Sequence, residues 1–585
     1  MTSRRLSYRT LASLAVGALV VRLAYLVAFA GSYRPRSDAD HYQAIAANFA
    51  HGDGLSASFP FTYQHPTAFR PPLYPALLGA FYRVTGVHVG AGQLLDVALG
   101  VVVVVLAALL GAQIAGRRGG LAAGIAVGVY PPLIANDVVI LSEPLSLVLL
   151  LGMILLLSRG HAAWAGLACG FLVLTRPSAQ LLVVAIAAWL VWRAGWRSAA
   201  RFGAVTVVVV TPWVVRNWML VGEPVVVSSN GFNLVSAYSE EAQQTKGFAD
   251  AVFDERFTRI NLDNRSEVDL DEAYREHAID AVRDDRVIPL RVLRHNFARY
   301  FELRPGANVS AERDDGRNIT VRDVTLPLVY AVTVSGVVGL WRARRRRGAE
   351  LLLLEAAYFT VASIVIIAVP RLRAPLDLAA AIGVGLLVAQ LLPRQGPDDA
   401  PDESGPTPPR HAAWSRRTKV LAAVAVIAGL VVAARGVAFA RNRVEDNAES
   451  QLRRALARDE PAVERLARLD AATLAAGSTA ASRADFDDAQ ALADRLWLLS
   501  PRLSGTLRNE GRAAARTLDE GLLDVHVLAL VTAGDRDLTS ARATYETRLR
   551  PADDRLPGWD ALAANTGMRR AGRDIEGLER ALGRA

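Results

Sequence analysis

The chain has 585 residues, 52% of them hydrophobic and only 21% charged, and its apolar residues fall in blocks of roughly 17–24 that are almost free of charge, the length that crosses a hydrocarbon core about 30 Å thick. Its net charge of +9 does not mark a nucleic-acid binder, because neither a recognition motif nor a basic stripe on a soluble segment accompanies it. A single cysteine, Cys169, rules out an intramolecular disulfide framework.

These properties read as an all-α polytopic membrane protein. In chain order the candidate spans are Leu11–Ala30, Gly92–Ala115, Leu121–Asn136, Glu143–Leu157, Ala162–Thr175, Leu181–Trp196, Phe202–Val221, Val324–Leu340, Leu351–Ala368, Leu376–Leu392 and Val420–Ala440, about eleven in all. The blocks between Leu121 and Thr175 are short, and re-entrant helices are the alternative to spans there. Leu11–Ala30 is too long for a signal-peptide core and no small-residue cleavage pattern follows, so it reads as a retained first helix.

Arginine placement sets the expected orientation, since Lys and Arg in short loops are retained on the cytoplasmic side. With the N-terminus inside, Gly116–Gly120, Ser158–His161, Arg193–Arg201, Trp341–Gly348 and Ser415–Lys419 are all cytoplasmic. Anionic headgroups of membrane lipids are their natural counter-ions. The polar stretches 31–90 and 222–322 then lie on the outer face of the cell membrane. Residues 396–418, with "GPDDAPDESGPTPPR", lack apolar periodicity and read as a disordered cytoplasmic linker. Residues 419–441 form the last membrane helix. The tail 442–585 has helical spacing at Leu452, Leu456, Val463, Leu466 and Leu469, which predicts a small helical domain outside the cytoplasm.

Chemistry belongs where charge stands at the ends of apolar spans. Asp38, Asp40 and Glu143 are carboxylates at the expected outer level, and Arg176, Arg216, Arg371 and Arg373 are cations there; ionisable groups at membrane depth are costly unless they face a polar cavity. Arginine forks pair with phosphate oxygens, and a positioned carboxylate can take a hydroxyl proton. Plainer roles compete. Asp38 suits a helix cap, Glu143-Pro144 a helix start, the arginines can snorkel to headgroups, and Arg216 between tryptophans suits interface anchoring. His41, His65 and His295 match no compact metal pattern. The reading therefore assigns no cofactor; a divalent cation, if bound, would take oxygens from Asp38, Asp40 and Glu143.

The stretches "SDADHYQAIAANFAHGDG", "RPPLYPALLGAFY", "LSEPLSLVLLLG", "TRPSAQLL", "TPWVVRNWMLVGEPVVVSSNGFNL" and "PRLRAPLDL" resemble, in that order, the bacterial GT-C glycosyltransferases related to the dolichyl-phosphate-mannose protein mannosyltransferases. The resemblance covers roughly residues 1–395 and none of 396–585. It implies a GT-C-like helical bundle with large outer loops. It also implies an inverting transfer of a sugar from a polyprenyl-phosphate donor to a hydroxyl of a glycan, lipid or protein acceptor. The family's acidic residue of the first outer loop maps onto Asp38, with Tyr42 the matching aromatic; Asp-Ala-Asp in place of the commoner Asp-Glu keeps Asp40 as an alternative. Arg70, Glu143, Arg176, Arg371 and Arg373 become the expected substrate-binding residues, and "SSNGFNL" an outer-loop turn. A transporter or flippase of a lipid-linked precursor is the alternative, but the chain lacks the internal symmetry that such proteins show. A non-catalytic envelope scaffold is a third.

Overall fold

A computed structural model describes residues 6–61, 64–245, 247–252, 254–263, 266–391, 448–458, 460–466, 480–499, 503, 505–532 and 573–575. The expected linker 396–418 and last span Val420–Ala440 lie outside these.

The chain is a helical bundle. Its helices are α1 (Tyr8–Tyr25), α2 (Asp38–His51), α3 (Leu73–Thr85), α4 (Val89–Gly128), α5 (Pro131–Asn136), α6 (Glu143–Ser158), α7 (Ala162–Val173), α8 (Gln180–Ala194) and α9 (Trp196–Leu220). They continue as α10 (Asn230–Tyr238), α11 (Glu240–Gln244), α12 (Thr258–Asp263), α13 (Glu267–Asp284), α14 (Ile288–Tyr300), α15 (Val309–Asp314), α16 (Ile319–Ala343), α17 (Arg347–Val365) and α18 (Ala374–Leu391). A two-residue antiparallel pair joins Ser56–Ala57 to His65–Pro66.

Among the described residues seven helices are long and apolar enough to cross a membrane: Tyr8–Ala30, Val89–Gly128, Pro177–Ala194, Trp196–Leu220, Ile319–Ala343, Arg347–Val365 and Pro370–Leu391. The expected count of eleven is not reproduced. The expected second and third spans share α4, whose helical geometry breaks at Ala115 and Gly116. Gly116 has φ 74°, a conformation that favours glycine, and beyond it the chain packs back on itself: a Cβ on Gly120 would lie 2.6 Å from the Ala108 carbonyl oxygen. The second arm stops at Gly128, so Leu121–Asn136 is an arm, a turn and the short α5. Helices α6 and α7 are apolar but have 16 and 12 residues, about 24 and 18 Å at 1.5 Å per residue, shorter than the hydrocarbon core.

Helix α18 is the most buried of the seven. It packs against α4, α16 and α17, with Leu110, Ile114, Leu351, Leu352, Leu378, Ile382 and Leu386 in the shared core. A second core of Tyr42, Tyr74, Leu78, Val139 and Ile140 fastens α2 and α3 to the stretch before α6.

Side-chain contacts define the two ends of the bundle. At one end the arginine-rich turns gather: Arg193 donates to Glu350 at 2.6 Å and Gln113 to Ser158 at 2.8 Å. At the other end the polar segments 31–88, 137–143, 175–178, 222–318 and 366–373 meet. Arg216 of α9 is half-buried there. Its guanidinium lies over Trp213 and donates to the carbonyls of Thr67 and Leu55 at 2.8 Å, so it anchors the polar cap and not the lipid interface. The "SSNGFNL" stretch is not a turn: Asn230 and Gly231 open α10, with the Gly231 amide donating to Asp271 at 2.6 Å.

In the tail, Leu452, Leu456, Val463 and Leu466 pack against Leu492, Leu496 and Trp497. Arg508 and Arg512 of the helix Gly505–Thr532 hold Asp269 of α13.

Candidate functional site

A cavity of about 1280 Å³ opens at the polar end of the bundle. Its inner wall is built from six places in the chain. Asp38 lies in the first turn of α2, after Ser37, whose φ of 52° is rare for a residue other than glycine. Its side chain caps nothing: Oδ1 accepts from Arg70 and Oδ2 from Arg371. Arg70 precedes the Pro71-Pro72 pair, and the Leu73 amide just beyond donates to the Leu174 carbonyl at 3.0 Å, which ties this wall to the end of α7. There Arg176 stands 3.2 Å from Glu143, the first residue of α6.

Arg371 is the hub. It sits on the single turn Pro370–Arg373 between α17 and α18, and its side chain is 12% exposed. One arm reaches Asp38; Nη1 reaches Asp315 at 3.1 Å, and Nε lies 3.9 Å from Glu143. That Nε makes no hydrogen bond. Asp315, between α15 and α16, is not among the residues expected from the sequence, although the acid pair in "AERDDGRN" stands just ahead of an apolar span, the same signal that marks Asp38 and Glu143.

The electrostatics separate these carboxyls. Burial raises the Asp38 pKa, but Arg371 and Arg70 outweigh it and hold the group well below the usual carboxylate range. Asp315 is pushed up to about 7, chiefly by burial, with Arg371 and Arg317 opposing and Asp38 and Glu312 adding to the rise. His41 is brought down to about 3 by burial and by Arg70, against the pull of Asp38. Its Nδ1 therefore stays an acceptor, 2.8 Å from Arg70 Nη2, and its ring stacks on Phe59. Tyr42 is buried beside it, with its hydroxyl 3.3 Å from Ser142 Oγ and Arg70 above its ring.

Not every expected residue is here. Asp40, two positions along α2, points away and is exposed. Arg373 is only 3% exposed and lies off the cavity, where it pairs with Glu302 and Asp377 at 3.1 Å and donates to the Tyr300 carbonyl at 3.2 Å. The two arginines of "PRLRAP" are therefore enclosed by protein and do not reach toward a headgroup plane. Among the described residues no three His, Cys, Asp or Glu side chains are arranged to hold a metal ion. The donor set explains this: Asp40 faces outward, and a guanidinium already stands between Asp38, Glu143 and Asp315.

From this polar end the cavity runs into an apolar arm between α8 and α17, lined by Leu181, Ala185, Leu354, Val361 and Ile366. Leu181 and Val361 are 71% and 61% exposed on helices of spanning length, so the arm is open toward the side of the bundle. On the far side Asn230, Phe232, Asn233 and Phe248 form the rim.

No family model matches the chain. No curated protein matches it in sequence. In structure it is similar to the archaeal oligosaccharyltransferase AglB from Archaeoglobus fulgidus, in complex with an inhibitory peptide and a dolichol-phosphate, at 13% identity and a TM-score of 0.39 over 65% of this chain and 50% of that one. The chain thus spans about half the length of that oligosaccharyltransferase. It is also similar to ArnT from Cupriavidus metallidurans in the apo state, at 11% identity and a TM-score of 0.39 over 97% of this chain and 77% of that one. The form of ArnT bound to undecaprenyl phosphate matches at 13% identity and a TM-score of 0.33 over the same shares.

Proposed function

We propose that the chain is a GT-C-type, polyprenyl-phosphate-dependent glycosyltransferase that moves a sugar to an acceptor hydroxyl with inversion, at the outer face of the cell membrane. The observation that carries this reading is the shape of the cavity. An apolar arm open to the side of the bundle leads directly to a cluster of arginines and carboxylates, as a ligand with an isoprenoid tail and a phosphate head requires. The ordered motifs of residues 1–395 support the same reading, and so does the gathering of arginine-rich turns at the end opposite the cavity.

In this reading the isoprenoid lies between α8 and α17, and the donor phosphate takes the fork of Arg371, beside Arg176 paired with Glu143. Asp38 is the base. Its low pKa belongs to the doubly paired state; when Arg371 turns to the phosphate, one of its two guanidinium partners is gone and its proton affinity rises. It then accepts the acceptor hydroxyl's proton as that oxygen attacks the anomeric carbon and the bond to the phosphate oxygen breaks, with the polyprenyl phosphate leaving on the opposite face. Arg70, His41 and Tyr42 hold Asp38 in place, and residues 222–322 cover the site.

The test is reconstitution of the purified chain in liposomes with polyprenyl-phosphate-linked sugars and envelope extracts as acceptor source. Release of polyprenyl phosphate coupled to sugar incorporation supports the reading. Movement of intact donor across the bilayer with no bond cleavage would make the protein a transporter.

A further inference from the structure

The ion-paired cluster on the inner wall of the cavity is balanced before any ligand enters whenever Asp315 is ionised. Three carboxylates, Asp38, Glu143 and Asp315, face three guanidiniums, Arg70, Arg176 and Arg371. A lipid phosphodiester adds one negative charge to this enclosed set. A phosphate seated on the fork of Arg371 draws that guanidinium from its carboxylates, and Arg371 is the one that reaches three of them.

The partners of Arg371 are not equally exposed to that loss. Asp38 keeps Arg70 on its other oxygen. Glu143 keeps Arg176 at 3.2 Å. Asp315 pairs with Arg371 at 3.1 Å, and the other cation near it, Arg317, is engaged by Glu312 at 3.4 Å and by the Asn136 side chain. The remaining groups around Asp315 cannot replace a cation. Asp38 and Glu312 are negative, Glu143 is reached through Arg371, and Tyr33, whose ring lies against Gly316, is a neutral phenol. His41, held neutral, does not compete for a proton.

We infer that Asp315 is the charge-compensating residue of this site: a lipid phosphodiester draws Arg371 from Asp315, and Asp315 takes up one proton from solvent in its place. The inference rests on the reading that the cavity holds a polyprenyl-phosphate donor. Asp315 is a positioning residue in this scheme, since it sets the charge of the site through Arg371 and does not touch the reacting atoms. The burial that already lifts it to about 7 means that removal of Arg371 lifts it further. The sign of the linkage follows. Below about pH 7 Asp315 carries its proton in both states and affinity is level; above it only the bound state does, so affinity falls by about tenfold per pH unit.

The probe is the methyl ester of farnesyl phosphate, a phosphodiester whose single negative charge is fixed over the range, titrated calorimetrically into the detergent-solubilised full chain from about pH 6 to about pH 9. Wild type should show the break near pH 7, and titrations at pH 8 in buffers of differing ionisation heat should show close to one proton taken up per probe bound. Asp315→Asn should bind at every pH with the affinity wild type has at low pH, without proton uptake, and Asp315→Glu should restore the slope. Level affinity in wild type with no proton uptake overturns the inference and leaves the donor reading standing, as does a slope that survives in Asp315→Asn. A probe that binds at no pH overturns the donor reading and this inference with it. Should Asp315→Asn fail to fold, the proton count on wild type still decides.

Discussion

Glu267 and His65 are 202 residues apart in the chain and 2.9 Å apart in space, both buried in the cap above the cavity. Glu267 opens α13, and its carboxylate also accepts from Thr67, from the Ala68 amide at 2.8 Å and from Ser228 Oγ at 2.6 Å. One side chain thus joins the segment that delivers Arg70 to the segment that forms the far rim.

Replacing Glu267 with Ala takes this acceptor from the buried donors of Thr67, Ala68 and Ser228, and each buried hydrogen-bonding group so orphaned costs about 1–3 kcal/mol. Thermal unfolding of the purified chain should move down by several degrees, and residues 55–70 should become accessible to protease first. The effect has a pH signature. Burial raises the Glu267 pKa, but His65, Ser228 and Thr67 more than offset it and hold it below its ordinary value. Its stabilisation is therefore present above the unfolded carboxyl pKa and is lost as pH falls through the lower folded value. Wild type should lose more stability on acidification than Glu267→Gln does; equal acid sensitivity would remove Glu267 as the cause.

The two aspartates of Asp-Ala-Asp separate cleanly. Asp38 lies in the cavity under Arg70 and Arg371, whereas Asp40 is exposed on the other side of α2. Asp38→Asn keeps the shape and removes the base, so transfer should fall on the order of 10²–10⁴-fold. Asp40→Asn should stay within about twofold of wild type, as surface substitutions usually do. Single-turnover transfer from a labelled donor measures both, and an active Asp38→Asn would move the base elsewhere.

Arg371 and Arg373 are two residues apart and do different work. Arg371→Lys offers one ammonium where the fork spans Asp38 and Asp315, so the donor affinity of the folded fraction should fall at least about tenfold. Arg373 is buried between Glu302 and Asp377, off the cavity. Arg373→Lys should lower the melting temperature while the folded fraction keeps its donor affinity. Calorimetric titration of the two variants, each corrected for its folded fraction, checks the contrast; matching losses of affinity would put both on the phosphate.

What the sequence discloses here follows from what hydropathy measures. It places charge along the membrane normal, which is why Asp38, Glu143, Arg176 and Arg371 can be collected from span ends far apart in the chain. It does not say which span ends meet, so it treats Arg371 and Arg373 alike and passes over Asp315 in a charge-rich loop that reads as solvated. Pairings such as His65 with Glu267 are set by the folded cap and leave no periodicity. The eleven expected spans are not all recovered among the described residues for a related reason: apolar runs of 12 and 16 residues, or a hairpin around Gly116, look like spans in a window but need not each cross.

The crossing of α16 and α18 is equally invisible to hydropathy, and it carries the last prediction. Both helices come together at glycine: a Cβ on Gly336 would lie 2.1 Å from the Ala380 carbonyl oxygen, one on Gly339 2.0 Å from that of Gly383, and one on Gly383 2.1 Å from that of Gly336. No L side chain fits at those distances, because the obstacle is backbone and cannot rotate away. Small residues at such a seam let helices in a membrane approach closely enough for packing to hold them. Gly383→Val should therefore push α18 from α16. Since α18 also begins beside the turn that carries Arg371, the variant should lose donor binding together with stability. Thermal unfolding and titration on one preparation test the coupling. Gly152, where an added Cβ would meet no atom within 4 Å, supplies the control, since Gly152→Ala on α6 should leave both unchanged. A Gly383→Val protein with wild-type melting and donor affinity would show that the seam is looser than these distances require.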